Sequence, residues 1–216
     1  MPKKVDQDER RAELLIAIWQ VIARDGLENV TVRTLARETG FSAGTLAHYF
    51  TDKDDILVSA LRLSHEQIAA RWEEKLDGLN GIVALRELVM DNLPLDDERE
   101  LETRLAMNYW VRAVTHENVA SSQWRIGPTL FRRLADLTAE AQERGEIRKD
   151  ESAEDIAERL NALIDGLSLH SLLYADRVTR ERQISLMEAE FKRLETGSGS
   201  SAAGDKNTME ETATDE

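Results

Sequence analysis

Residues 31–50 read TVRTLARETGFSAGTLAHYF and bring together side chains suited to one kind of chemistry. Thr31, Thr34, Ser42 and Thr45 offer hydroxyls, and Ala43 and Gly44 carry almost no side chain. Small residues let a helix come close to base edges, and hydroxyls can meet either a donor or an acceptor there. Arg33 can reach a base or a phosphate. His48, Tyr49 and, just beyond, Lys53 stand where phosphates would be met. The set suits hydrogen bonding to the groove and backbone of double-stranded DNA.

Little else in the chain suggests reactive chemistry. The four histidines, His48, His65, His116 and His170, lie far apart and complete no metal-binding spacing. With no cysteine there is no disulfide framework, thiolate metal site or thiol nucleophile, and a reducing compartment is expected. No Gly-rich phosphate loop is present. An enzyme, a metal site and a cofactor are therefore not expected. No stretch approaches 18 consecutive apolar residues, and Met1–Asp6 carries no apolar run. The expected location is the cytoplasm, with no membrane partner.

The elements that must position these side chains are helices. Ala, Leu, Glu and Arg dominate, and prolines number only 3. Leu14, Leu15, Ile18, Val21 and Ile22 recur at helical steps, and Gly26 suits the helix end. A short helix capped by Thr31 would bury Leu35 and Ala36 and stop at Gly40. Another would run from about Ser42 to Tyr49, with Phe41 and Leu46 inward. Two short helices about a glycine turn make a helix-turn-helix. Thr51, with Asp54 three residues on, predicts the cap of a long helix to about Leu76, whose N-terminus would offer one more phosphate contact. Helices are further expected over about 82–92, from Asp96 to about His116, over 119–144 with a kink or a split at Gly127-Pro128, over about 152–174 and over about 179–195.

The head as a whole resembles the DNA-binding domain of the TetR family of bacterial repressors. The matching pieces are Arg24-Asp25-Gly26, Thr31–Ala36, Gly40-Phe41-Ser42 and Gly44–Phe50 followed by Asp52-Lys53. The resemblance covers roughly residues 8–60. It implies DNA contacts from Thr31, Arg33 and Thr34, from Ala43, Gly44, Thr45, His48 and Tyr49, and from Lys53. Ala47-His48-Tyr49-Phe50 and Ala162–Leu167 resemble the choline-responsive branch of that family.

The all-α chain then has three parts: a helix-turn-helix domain over 1–53, a body over 54–195 that the resemblance implies is for ligand binding and dimerisation, and, from the Gly-Ser run at 197–201 and the polar, acidic remainder, a disordered acidic tail over 196–216. In the body, Met90, Met107, Trp110, Trp124, Phe131, Asp165 and His170 are the candidate ligand-binding residues. Trp110 and Trp124 near the Asp165 carboxylate would make a cage for a quaternary ammonium. Packing anchors, with Asp165 paired to an arginine, would produce the same pattern. A polyamine or a lipophilic compound would suit the same residues. Ile156, Leu160, Leu163, Ile164, Leu167 and Leu172, with Leu186, Met187 and Phe191, predict apolar stripes for a homodimer.

The formal net charge of −14 looks wrong for a DNA binder. Residues 1–53, however, hold eight bases and eight acids, so the acidity lies in the body and tail. A neutral head must rely on a few well-placed bases, Arg33 and Lys53 above all, and on two heads acting together. Lys3, Lys4, Arg10 and Arg11 would form a basic arm or a solvated terminus. The expected function is a dimeric repressor of a palindromic operator, released by a small molecule. The alternative favoured by the acidic total is a helical interaction or adaptor protein without DNA binding.

Overall fold

The computed structural model describes residues 2–117, 119–120 and 128–196. Among them lie α1 (Pro2–Asp25), α2 (Val32–Thr39), α3 (Ala43–Tyr49), α4 (Lys53–Lys75), α5 (Gly81–Asp91), α6 (Asp97–Thr115), α7 (Pro128–Glu143), α8 (Ala153–Leu173) and α9 (Arg180–Leu194). No strand occurs among the described residues, where Ile147 and Glu195 form an isolated antiparallel bridge. The all-α architecture matches the sequence expectation.

The helices begin where local chemistry starts them. Thr31, Ser42, Asp52, Asp96, Ser152 and Thr179 each accept a hydrogen bond from the backbone N–H three residues on. Each thereby satisfies one of the amides that a helix start leaves unpaired. Gly40 ends α2 at φ 73°, a left-handed conformation that a β-carbon would strain.

Two details differ from expectation at the head of α4. Asp52, not Thr51, is the cap, with Oδ1 2.8 Å from the Asp55 amide. Thr51 instead donates its backbone N–H to Asp55 Oδ2 at 3.0 Å. The first turn also carries Asp54 and Asp55. Three carboxylates therefore occupy the positive end of α4 and oppose a phosphate there.

Pro128 opens α7, where its missing N–H is harmless. Gly127 and Trp124 lie outside the described residues, as does 197–216 of the expected tail. So do the side chains of Lys3, Lys4, Arg10 and Arg11, although the backbone there is helical from Pro2.

Two apolar cores form. The head core joins Leu14, Ile18 and Ile22 of α1 to Leu35, Leu46 and Phe50. It also takes Ile56, Leu57, Ala60 and Leu61 from α4, and Leu105 and Tyr109 from α6. The body core joins Trp72, Leu85, Leu88, Leu134, Leu160 and Phe191 from α4, α5, α7, α8 and α9. α4 thus runs through both cores, and α6 leans its second half on the head.

The stripes expected at a dimer interface prove mostly internal. Ile156, Leu160, Ile164, Leu167, Met187 and Phe191 are buried within the subunit. They face α5 and α7, which the periodicity of α8 and α9 alone did not reveal. The apolar side chains left in solvent there are Leu169 (40%), Leu173 (60%), Tyr174 (48%) and Ile184 (40%).

Candidate functional site

The first candidate surface is built by α2 and α3. Leu35, Leu46 and Phe50 are buried, and Ala36, Phe41 and Tyr49 pack partly against the same core. That packing fixes the outer faces of both helices. Thr31, Arg33, Ser42, Ala43, Gly44, His48 and Lys53 are exposed, while Thr34, Thr45 and Tyr49 are half-buried. His48 and Tyr49 meet edge to face, with ring centroids 5.7 Å apart.

Two of the hydroxyls are engaged. Thr31 Oγ1 accepts from the Thr34 amide at 3.0 Å, and Ser42 Oγ accepts from the Thr45 amide at 3.0 Å. Each also lies within hydrogen-bond distance of a second hydroxyl, Thr34 Oγ1 at 2.9 Å and Thr45 Oγ1 at 2.8 Å. These residues shape the reading helices first, and either member of each pair keeps a free lone pair.

The head's cations are unequally available. Arg24 pairs with Asp25 at 2.7 Å and Glu38 at 3.4 Å, and Arg37 pairs with Glu38 at 3.0 Å. The Arg37 hydrogen bond, reinforced by Arg24, holds the Glu38 carboxyl below the usual carboxylate range. Arg33 makes no ion pair among the described residues.

The second candidate is a cavity of about 130 Å³ in the body. Leu61, Ser64, His65 and Ile68 of α4 line one side, and Met107 and Trp110 of α6 another. Leu130 of α7 and Ile164, Asp165 and Ser168 of α8 face them, and Asp91, Asn92, Arg99, Glu102, Thr103 and Ala106 close the remaining side. Of the expected ligand residues, Met107, Trp110 and Asp165 come together here. Met90 and Phe131 pack against the body core instead. His170 is exposed outside the cavity, its ring edge-to-face with Tyr174 at 5.5 Å.

Asp165 is the electrostatic centre of this cavity. Burial, with help from the Glu158 charge, raises its carboxyl pKa to about 6. Its described partner is Asn161 Nδ2 at 3.4 Å, and no basic residue among those described pairs with it. The arginine pairing left open by the sequence is absent there.

The cavity's other charged edge is an ion network that the sequence did not reveal. Arg71 donates to Asp91 Oδ2 at 2.9 Å and to both oxygens of Glu102 at 2.7 and 2.9 Å. Lys75 donates to Asp91 Oδ1 at 2.6 Å. Burial opposes ionisation of Asp91, but the hydrogen bonds from Lys75 and Arg71 outweigh it and keep the carboxyl below its ordinary range. Burial wins at Glu102, whose pKa is raised despite Arg71.

α6 also reaches the head. Asn108 Oδ1 accepts from the Leu27 amide at 3.0 Å, and Arg112 Nε donates to Asp54 Oδ1 at 2.7 Å. A more open cavity of about 280 Å³ lies at this junction, and Met107 borders it as well. The sequence carried a faint sign of these contacts: Asn108 and Arg112 are four apart, on one face of a helix whose other face is apolar.

Comparison with known proteins agrees with both halves of this geometry. The model of bacterial regulatory proteins of the tetR family matches residues 14–60. That of BetI-type transcriptional repressors, C-terminal, matches residues 83–195. The HTH-type transcriptional regulator PksA of Bacillus subtilis (strain 168) is 31% identical over 185 residues, covering 84% of this chain and 88% of the relative. The HTH-type transcriptional regulator BetI of Escherichia coli (strain K12) is 30% identical over 190 residues, covering 86% and 94%. A transcriptional regulator from Saccharomonospora viridis, crystallised in complex with choline, superposes with a TM-score of 0.80. It shares 26% identity and covers 86% of this chain and 96% of its own. The chain therefore belongs to the TetR family of transcriptional regulators: it is a DNA-binding, ligand-responsive repressor with a BetI-type C-terminal domain, and not an enzyme.

Proposed function

We propose that this regulator holds a palindromic operator as a homodimer and releases it when an organic cation, of the quaternary ammonium class, enters the body cavity. The observation that carries this reading is the double duty of α6. Met107 and Trp110 line the cavity, while Asn108 and Arg112, on the same stretch of helix, hold Leu27 and Asp54 of the head. A ligand that moves Trp110 acts on the helix that braces the head.

On the DNA side, the exposed faces of α2 and α3 support contacts from Thr31, Arg33, Thr34, Ser42, Ala43, Gly44, Thr45, His48 and Tyr49, with Lys53 on phosphate. On the ligand side, a carboxylate with no basic partner beside an indole suits a cation that offers no hydrogen bond of its own. A neutral lipophilic compound would leave Asp165 uncompensated. The choline-bound neighbour supports the same class. Leu169, Leu173, Tyr174 and Ile184 support a dimer through α8 and α9.

The test is fluorescence anisotropy on the DNA upstream of the chain's own gene, at fixed salt, with and without choline. Saturable binding as a dimer, reversed by choline, is expected. Specific DNA binding that no ammonium compound weakens would refute the effector class and leave the DNA reading intact.

A further inference from the structure

α3 is joined to α4 by Phe50, Thr51 and Asp52 alone. Phe50 is anchored to the helix before it, since its N–H donates to the Leu46 carbonyl and its ring lies in the head core. Asp52 is anchored to the helix after it, since it caps α4 through the Asp55 amide. Thr51, between them, is exposed, and one side chain holds it. Asp55 Oδ2 accepts from the Thr51 N–H at 3.0 Å and from the Thr51 hydroxyl at 3.3 Å. Asp55 Oδ1 accepts from the hydroxyl of Ser59 at 3.4 Å, and Ser59 is only 2% exposed. A buried serine one turn along α4 thus orients the carboxylate that grips the linker.

This grip departs from ordinary capping. The acid three residues after a cap commonly reaches back to the N–H of the cap itself. Asp55 reaches one residue further and engages chain that lies outside its own helix. Its neighbour Asp54 points elsewhere, because consecutive residues stand about 100° apart around a helix. Asp54 takes Arg112 of α6, while Asp55 takes the linker from α3. The first turn of α4 is therefore tied to the body by one carboxylate and to the end of α3 by the next.

We propose that Asp55 is a positioning residue for DNA reading, which locks the three-residue linker so that α3 moves as one piece with the start of α4. The role rests on α3 as the reading helix, as proposed above. It fixes His48 and Tyr49, at the end of α3, relative to Lys53, at the start of α4. Contacts with base edges demand that register, whereas contacts with phosphates along a uniform backbone tolerate its loss. The lock thus serves discrimination between DNA sequences more than bulk affinity.

The sign of the effect separates positioning from charge. A carboxylate two residues from Lys53 repels phosphates, so removing its charge alone should tighten binding to any DNA. The test is fluorescence anisotropy of the full chain at fixed salt, on the DNA upstream of its own gene and on unrelated DNA, with thermal melts to check the fold. Asp55→Ala should weaken binding to the upstream DNA about tenfold, the scale of a lost hydrogen bond to a charged group. Binding to unrelated DNA should be unchanged or tighter, so the ratio of the two collapses. Asp55→Asn keeps an acceptor for Thr51 and offers Ser59 a donor. It should preserve the ratio while tightening both interactions. Thr51→Val removes only the hydroxyl bond, at an exposed position, and should lower the ratio by a smaller factor even if the alanine variant folds poorly. Equal tightening in Asp55→Ala and Asp55→Asn, or an unchanged ratio in Thr51→Val, would overturn the positioning role and leave the reading helix standing. A wild-type chain that binds both DNAs equally would overturn the reading helix and the positioning role together.

Discussion

Arg112 grips Asp54 across the junction of head and body, with Nε 2.7 Å from Oδ1 and Nη2 3.3 Å from Oδ2. The pair ties the last turns of α6 to the first turn of α4, and both side chains are largely shielded from solvent. Arg112→Met should therefore uncouple the two halves. Choline affinity should change little, while the choline-driven loss of operator affinity shrinks from the ~1–3 kcal/mol typical of such coupling. Titrations of ligand with and without operator measure both quantities. An undiminished coupling would show that the signal travels by another route.

Arg33 is the head's uncompensated guanidinium among the described residues. Arg33→Ala should weaken operator binding by ~1–3 kcal/mol if the side chain reads a base. If it meets phosphate, the loss should be uniform across DNA sequences, and the slope of log K against log salt should fall by about one. Gel shifts at several salt concentrations distinguish these cases, and unchanged affinity on all DNA would remove Arg33 from the interface.

Glu38 ties up two other arginines, Arg24 and Arg37. Glu38→Gln should release Arg37, while Arg24 stays paired with Asp25, and raise affinity for non-specific DNA several-fold, with a smaller gain on the operator. Much of that gain should disappear in an Arg37→Ala background, which a double-mutant cycle measures. An equal gain in both backgrounds would mean that Glu38 acts only by repelling phosphates.

Asp165 makes pH a reporter of the cavity. Its pKa in the fold is about 6, raised by burial and by Glu158, against an ordinary aspartate value near 4. Between those values the folded chain binds more protons than the unfolded one, so stability falls as pH rises through that window. Above pH ~6 the contribution is lost. Asp165→Asn should consequently melt a few degrees above the wild type near pH 7, with the gap closing towards pH 4. Choline affinity should move the opposite way and drop below pH 6, because the cation needs the ionised carboxylate. Matching pH profiles for the two proteins would show that Asp165 does not titrate in this range.

Leu173 is the most exposed apolar side chain of α8. Leu173→Arg should leave the subunit folded and shift the dimer to monomer in analytical ultracentrifugation. Operator affinity should fall with it, since two heads then no longer act together. A variant that stays dimeric would place the interface elsewhere.

The head was legible in the sequence because its signals are local. Thr31 and Ser42 cap, Gly40 turns, and Leu35 and Leu46 mark the inner faces at helical spacing. The body's site was only half legible. Helical periodicity says that a side chain faces inward, but not whether it meets a neighbouring helix or a hollow. Met107, Trp110 and Asp165 therefore looked the same as Met90 and Phe131, which pack in the core. The same limit made Ile156 and Phe191 look like interface residues, although α5 and α7 cover them. Ion pairs between distant segments, such as Arg71 with Asp91 and Glu102, leave no periodic trace at all.

The Arg71 clamp also sets a fulcrum. It pins α4, α5 and α6 to one another at Asp91 and Glu102, where a bidentate guanidinium tolerates little displacement. From Glu102 to Arg112 the helix extends about 15 Å at 1.5 Å per residue. A tilt of about 5° around the pinned end sweeps Arg112 through roughly 1.3 Å over that arm. That is enough to take its contact with Asp54 out of hydrogen-bonding range. On the proposed mechanism no large rearrangement is needed, since Trp110 and Arg112 share the free part of this arm and a small shift of one carries the other.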